Sequence, residues 1–368
     1  MTSVLEDAMR WVATAHDATG RQGISAGYDL TGGWQPTYPE TSGYLVPTML
    51  RAAGELDGPF ADELRARAVQ VGQWLLELQA ADGSFPGGTG TEGPPVVFDV
   101  GQIMLGLLAL WRATGAEAYR TAADRAGHWL GGVQRDDGAW LSHFGYPNTY
   151  SSRVTWALAE TWQATGDQAH LERVNRSLRW LAGQAQPGGW IGGMSFSAGH
   201  TAWTHTIGYA LRGLLRAGDI AGGPDGQRCV AAAAECAGRL ARLRTPLYPL
   251  LPGELGPDFV PLADYACLTG DAQLVTIWAD LADRGDEPWL RERAAATLER
   301  LSRLQVRQPL EPAAVGALAG SWPLSGAFEP NAFPNWATKF LADAAMNLRS
   351  ARPVGAGPAG RAPGAITA

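Results

Sequence analysis

A helical hairpin that recurs along the chain constrains the fold more than any other feature. Its clearest copies are Trp74-Leu75-x3-Gln79-x3-Gly83-Ser84-Phe85 and Trp129-Leu130-x3-Gln134-x3-Gly138-Ala139-Trp140, which agree in every spacing. Each closes an amphipathic helix with a Trp-Leu pair, then a Gln, then a Gly-x-aromatic turn. A third copy runs from Trp180-Leu181 to Gln186 and Gly189-Trp190, one residue out of step. A fourth keeps Leu301-x3-Gln305 and places its aromatic turn after an insertion, at Gly320-Ser321-Trp322. A fixed repeat of this kind is a supersecondary unit that cannot bury its apolar face alone, so neighbours must stack.

The hydrophobic pattern predicts a first helix over 3–17 and then five pairs. These are 43–55 with 60–80, 97–114 with 117–134, 150–165 with 168–184, 202–217 with 226–244, and 258–269 with 272–305, the last broken near Arg284-Gly285-Asp286. A final helix spans about 334–350. The turns Ala113-Thr114-Gly115, Ala164-Thr165-Gly166-Asp167 and Leu268-Thr269-Gly270-Asp271 share a signature. Gly can end a helix in the left-handed conformation, and Asp can cap the next one. The first helix of each pair is apolar nearly all round, as in Ile103-Met104-Leu105-Gly106-Leu107-Leu108, and so belongs inside. The second carries Arg and Glu on one face. One outer helix is left over at the N-terminus and one inner helix at the C-terminus. Together they complete a sixth pair, which predicts an all-α, closed (α/α)6 toroid over residues 1–350 as a single domain. Residues 351–368, with almost no large apolar side chains, are expected to be a disordered tail.

Composition removes several classes of function. A net charge of -7 opposes nucleic-acid binding, which needs a basic face. No run of 18 apolar residues is present, so no membrane span is expected. The cysteines Cys229, Cys236 and Cys267 are odd in number and lack metal-ligand spacing. A reduced, cytoplasmic setting is expected from them, with no cofactor and no metal.

Outer-to-inner connections are long and inner-to-outer ones short, so the long loops gather at one end of the ring, around the N-termini of the inner helices. Those entrances are polar for buried helices. They supply Tyr38, Glu40 and Tyr44, then Asp99 and Gln102, then Arg153 and Trp156. The later entrances supply Trp203, His205 and Tyr209, then Asp258, then Asn335, Trp336 and Lys339. Glu40, Asp99, His205 and Tyr209 are the candidate catalytic residues. Tyr38, Tyr44, Gln102, Arg153, Trp156, Trp190, Trp203, Asn335, Trp336 and Lys339 are candidate substrate contacts. Each also has a purely structural role open to it. Asp99 with Gln102 matches a capping box, Glu40 can pair with Arg51 or Arg153, and Lys339 with Asp343 can be an i,i+4 ion pair.

The Gln-x3-Gly-x-aromatic strings resemble the repeats of squalene and oxidosqualene cyclases and of protein prenyltransferase β subunits. That resemblance implies a toroid. The Asp-x-Asp-Asp acid motif of the cyclases and the Asp, Cys and His zinc set of the prenyltransferases are both missing. The strings Tyr38-Pro-Glu-Thr-Ser-Gly-Tyr44, Phe98-Asp-Val-Gly-Gln102, His205-Thr-Ile-Gly-Tyr209 and Pro334-Asn-Trp-Ala-Thr-Lys339 look like those of bacterial toroid proteins from polysaccharide and natural-product genes. The architecture also resembles six-hairpin carbohydrate enzymes. The expectation is a metal-independent acid/base enzyme acting on a sugar or uronate as hydrolase, epimerase or lyase. Glu40 and Asp99 would be the acid and base of a hydrolase. His205 or Tyr209 would exchange the proton in an epimerase or lyase, with Arg153 or Lys339 neutralising a carboxylate. Trp34, Trp190 and Trp336 would stack on sugar rings. A terpenoid-cyclase-like enzyme acting on an isoprenoid is the alternative, and a non-catalytic binding toroid the second.

Overall fold

The computed structural model describes residues 3–285, 287–308 and 311–349, so the expected tail lies outside the described residues. Six inner helices form a ring. They are α2 (Pro39–Glu55), α4 (Val97–Thr114), α6 (Ser152–Thr165), α8 (Thr204–Ala221), α10 (Leu268–Asp283) and α12 (Asn335–Arg349). Each packs on the next, and α12 packs on α2. Six outer helices back them: α1 (Val4–Asp17), α3 (Pro59–Leu78), α5 (Glu117–Gly132), α7 (Gln168–Ala182), α9 (Gly223–Arg242) and α11 (Trp289–Leu304). The ring closes by α1 seating against α12. The fold is thus the all-α (α/α)6 toroid.

The repeat owes its residues to the joint between neighbouring outer helices. Gln79 Nε2 donates to Gly83 O of its own turn and to Ala122 O of α5. Gln134 does the same with Gly138 O and Arg173 O of α7. Gln305 donates to Gly316 O and Val4 O of α1, which closes the ring. Gly83, Gly138 and Gly316 sit at φ 93°, 91° and 94°. A Cβ there would lie 2.5, 2.3 and 2.3 Å from Arg125 O, Arg176 O and Asp7 O. The left-handed turn and the close approach both require Gly. The fourth repeat therefore uses Gly316, not Gly320 as its aromatic turn suggests.

The fifth hairpin departs from expectation. No α-helix covers 258–267, and Leu268-Thr269-Gly270-Asp271 opens α10 instead of ending a helix. Gly270 serves packing: its Cβ would meet Thr204 C at 2.5 Å, so Gly lets α10 press against the start of α8. Asp258 is exposed in the preceding loop, not at an inner-helix entrance, and Cys267 stands immediately before α10 without a side-chain capping bond. The expected break does separate the two helices of the pair, with α10 ending at Asp283 and α11 beginning at Trp289.

Short strands knit the long loops. Gly27–Asp29 pairs antiparallel with both Gly33–Trp34 and Ala332–Pro334, joining the first and last loops across the seam. Ala202–Trp203 pairs with Glu254–Leu255, and Ala266–Cys267 with Ser321–Trp322. Among the described residues one helix, α4, is long and apolar enough to cross a membrane. Here it is an inner helix with Asp99 to Leu108 buried.

Candidate active site

The loop end of the ring opens into a cavity of about 620 Å³. Its floor comes from inner-helix entrances: Tyr38, Glu40 and Tyr44 of the first, Phe98 and Asp99 of the second, Tyr150 of the third, Trp203, His205 and Tyr209 of the fourth, and Trp336 of the sixth. Its walls come from the loops, through Gly87, Gly88, Val96, Phe144, Phe196 and the segment Ala327 to Pro330. The rings interlock edge-on or tilted. Phe98 meets Tyr150 and Tyr209 at 5.2 and 4.9 Å between centroids, and Trp203 meets Phe328 at 5.0 Å. Offset and edge contacts of this kind fix ring orientation.

Glu40 and Asp99 share this floor from adjacent helices. Neither forms an ion pair among the described residues. Burial pushes both carboxyls up, Asp99 to about 7. Glu40 is raised further because the Asp99 charge opposes its ionisation. Asp99 Oδ2 accepts the Gly88 N–H at 2.9 Å, which favours its charged form. The Tyr38 hydroxyl lies near both carboxyls and favours the charged form of each. Two carboxyls in one desolvated site separate in this way into a proton holder and a proton acceptor. The capping box expected of Asp99 and Gln102 does not form. α4 has no side-chain cap, and Gln102 Oε1 instead accepts from Arg153 Nε at 2.6 Å.

His205 Nδ1 accepts from Gln273 Nε2 at 2.9 Å, which leaves the proton on Nε2. Burial, and then Arg153, lower its pKa to about 3. The imidazole is therefore neutral, with its Nε2–H placed to donate. Tyr209, raised by burial and by Glu40, keeps its hydroxyl proton.

The other expected contacts lie elsewhere. Arg153, Trp156 and Lys339 line a second cavity of about 430 Å³ at the opposite end of the ring, with Tyr44 between the two. No Lys or Arg lines the loop-end cavity among the described residues, so neither Arg153 nor Lys339 stands ready to neutralise a substrate carboxylate there. Asn335 is buried in the seam, where Nδ2 donates to Ser25 O and Thr41 Oγ1. Trp190 packs edge-on against Phe259, and Trp34 against Trp11 and Tyr28. Trp203 and Trp336 do reach the cavity. Phe328, Glu329, His143, Phe144 and Phe196 were not foreseen, because they sit in long loops without periodicity.

No family model matches the chain, and no curated protein does. Solved structures do match. Unsaturated glucuronyl hydrolase from Bacillus sp. GL1, described as responsible for glycosaminoglycan degradation, superposes with a TM-score of 0.70 at 14% identity, over 94% of this chain and 96% of that one. A sugar epimerase from a ruminal bacterium gives 0.70 at 11%, over 95% and 100%. Cellobiose 2-epimerase from Bacillus thermoamylovorans B4167 gives 0.67 at 10%, over 92% and 97%. These likenesses establish the six-hairpin toroid over nearly the whole chain. The likeness to terpenoid cyclases rests on the repeats alone.

Proposed function

We propose that the loop-end cavity is the active site of an acid/base enzyme acting on a glycoside. The observation that carries this reading is the pair Glu40 and Asp99: two buried carboxyls with no cation in ion-pair contact among the described residues, beside the Tyr38 hydroxyl on the floor of an aromatic funnel. Glu40, raised by burial and by the Asp99 charge, holds its proton and gives it to the glycosidic oxygen as the bond to the anomeric carbon breaks. Asp99, ionised above about 7, takes a proton from the water that adds to that carbon. Trp203 and Trp336 offer faces for sugar rings, and Tyr44, Tyr209 and His205 offer donors for hydroxyls. Without Lys or Arg in the lining, a neutral sugar suits the funnel better than a uronate. A uronate carboxylate would have to be met by the inner-helix N-termini and the tyrosines. The sugar substrates in the names of the structural neighbours agree with the class.

The aromatic lining also favours a second reading, an isoprenoid substrate ionised by Glu40. One incubation series separates the two. Neutral glycosides, reducing disaccharides, unsaturated uronides and isoprenoid diphosphates are each supplied, and products are followed by NMR. The expected result is new reducing ends from a neutral glycoside, lost in Glu40→Gln. Isomerised disaccharide would mean epimerisation, and loss of the uronide double bond would restore the charged substrate. Turnover of the isoprenoids alone would sink the sugar reading.

A further inference from the structure

The outer wall holds a second concentration of chemistry, away from the funnel, between α5 and α7. Asp124 and His128 stand one turn apart on α5, and Asp167 and His170 stand at the N-cap and first turn of α7. His170 Nε2 lies 2.8 Å from Asp124 Oδ1, and His128 Nε2 lies 3.2 Å from Asp167 Oδ2. The cross distances are 3.9 Å from His128 Nε2 to Asp124 Oδ1 and 3.8 Å from His170 Nε2 to Asp167 Oδ2. All four ligand atoms fall within 4.8 Å of one another.

We propose that these four side chains form a metal site, taking Zn²⁺ or a similar divalent transition ion, that clamps α5 to α7. Tetrahedral zinc with bonds of 2.0–2.1 Å places its ligand atoms about 3.3 Å apart. The four measured separations lie on both sides of that figure. Two separate Asp–His hydrogen bonds would satisfy each histidine without drawing both pairs to one point. Here the pairs interleave, so that each Nε2 faces both carboxylates and each carboxylate faces both rings. Imidazole nitrogen with carboxylate oxygen is a donor set for zinc, not for calcium or magnesium, which prefer oxygen alone. Four protein ligands leave no open position, so the site is structural. His170 is fully buried and Asp124, His128 and Asp167 remain partly exposed, which gives an ion a path in from solvent. Asp167 keeps its capping duty through Oδ1, which accepts the Ala169 N–H, while Oδ2 is free to ligate. The spacing of the sequence hides the set, since each helix contributes only one pair.

The test uses tag-free, chelator-treated full-length protein titrated with Zn²⁺ by calorimetry, with the melting temperature followed in parallel. One equivalent binding at micromolar affinity or better, with a rise in melting temperature, is the expected result. Co²⁺ should take the same place and show tetrahedral ligand-field bands. His128→Gln and Asp124→Asn should each weaken binding at least tenfold while the metal-free proteins melt like the parent, since both side chains are partly exposed. Absence of micromolar binding to the parent overturns the site, as does binding that both variants retain.

Discussion

The two ends of the ring treat their charged groups in opposite ways. At the loop end Glu40 and Asp99 are buried with no cation in ion-pair contact, and burial raises both. At the far end each acid has a partner. Lys339 Nζ meets Asp343 Oδ2 at 2.6 Å, with Arg51 3.8 Å from the same carboxylate. Arg112 meets Glu160 at 2.5 Å, and Arg212 pairs with Asp280. Arg153 is the exception there, held by Gln102 and set over the Trp156 and Tyr209 rings at 5.2 and 4.9 Å. An unpaired buried charge is costly, so a fold that keeps two such carboxyls spends stability on them. A paired network is what structure alone would produce. The contrast, more than the number of polar residues, supports the proposal that the loop end is the working site.

The sharpest way to break that contrast is kinetic. Glu40→Gln removes the proton donor and should lower kcat by about 10²–10⁴ on the substrate that the panel identifies. Asp343→Asn, at the far end, should leave kcat within a few-fold. A Glu40→Gln enzyme with the parent rate would put the chemistry elsewhere. The ionisation of Asp99 adds a pH signature: kcat/KM should climb through about pH 7 as its carboxylate forms, and Asp99→Asn should abolish the climb together with most of the activity.

Stability gives the reverse ordering. Asp343→Asn leaves Lys339 buried without its nearest counter-charge, its side chain only 7% exposed. Removing one partner of a buried pair costs about 3–5 kcal/mol, read from urea unfolding. Burial already lowers Lys339 to about 8, so the lone amine would shed its proton more readily still. Asp99→Asn should cost far less at neutral pH. Equal losses in the two variants would mean that both ends are structural.

Much of this was legible before any coordinates. α4 begins and ends at the residues its pattern predicts, because an apolar run closed by Thr114-Gly115 admits one reading. Glu40 and Asp99 stand out as acids at the mouths of apolar helices, and both line the loop-end cavity. The fifth hairpin failed because Thr269-Gly270-Asp271 copies a helix-ending signature, while the Gly answers a contact with Thr204 that only tertiary packing creates. Arg153 and Lys339 failed by depth. A 3₁₀ turn over Thr149–Ser151 precedes α6, and Lys339 lies one turn inside α12, so both side chains serve the opposite cavity. Phe328 and Glu329 belong to a loop whose course depends on the seam strands, which no local pattern encodes.

The smallest effect tests the price of the unpaired acids directly. An unfolded Asp titrates near 3.9, and Asp99 in the ring titrates at about 7. Between those values the folded state binds the proton that the unfolded state has lost, so stability falls as pH rises. The contribution is fully present below about pH 4 and is gone once pH passes the folded value near 7. Asp99→Asn removes the titration and also lifts the repulsion that raises Glu40. Both changes act in the same direction. Asp271, buried and raised to about 8 beside the α10 entrance, titrates in parent and variant alike and cancels in the difference. Unfolding free energy measured for both proteins from pH 4 to pH 8 should therefore show the variant gaining steadily on the parent. A flat difference would mean that Asp99 is already compensated in the folded protein, and the asymmetry between the two ends of the ring would lose its energetic basis.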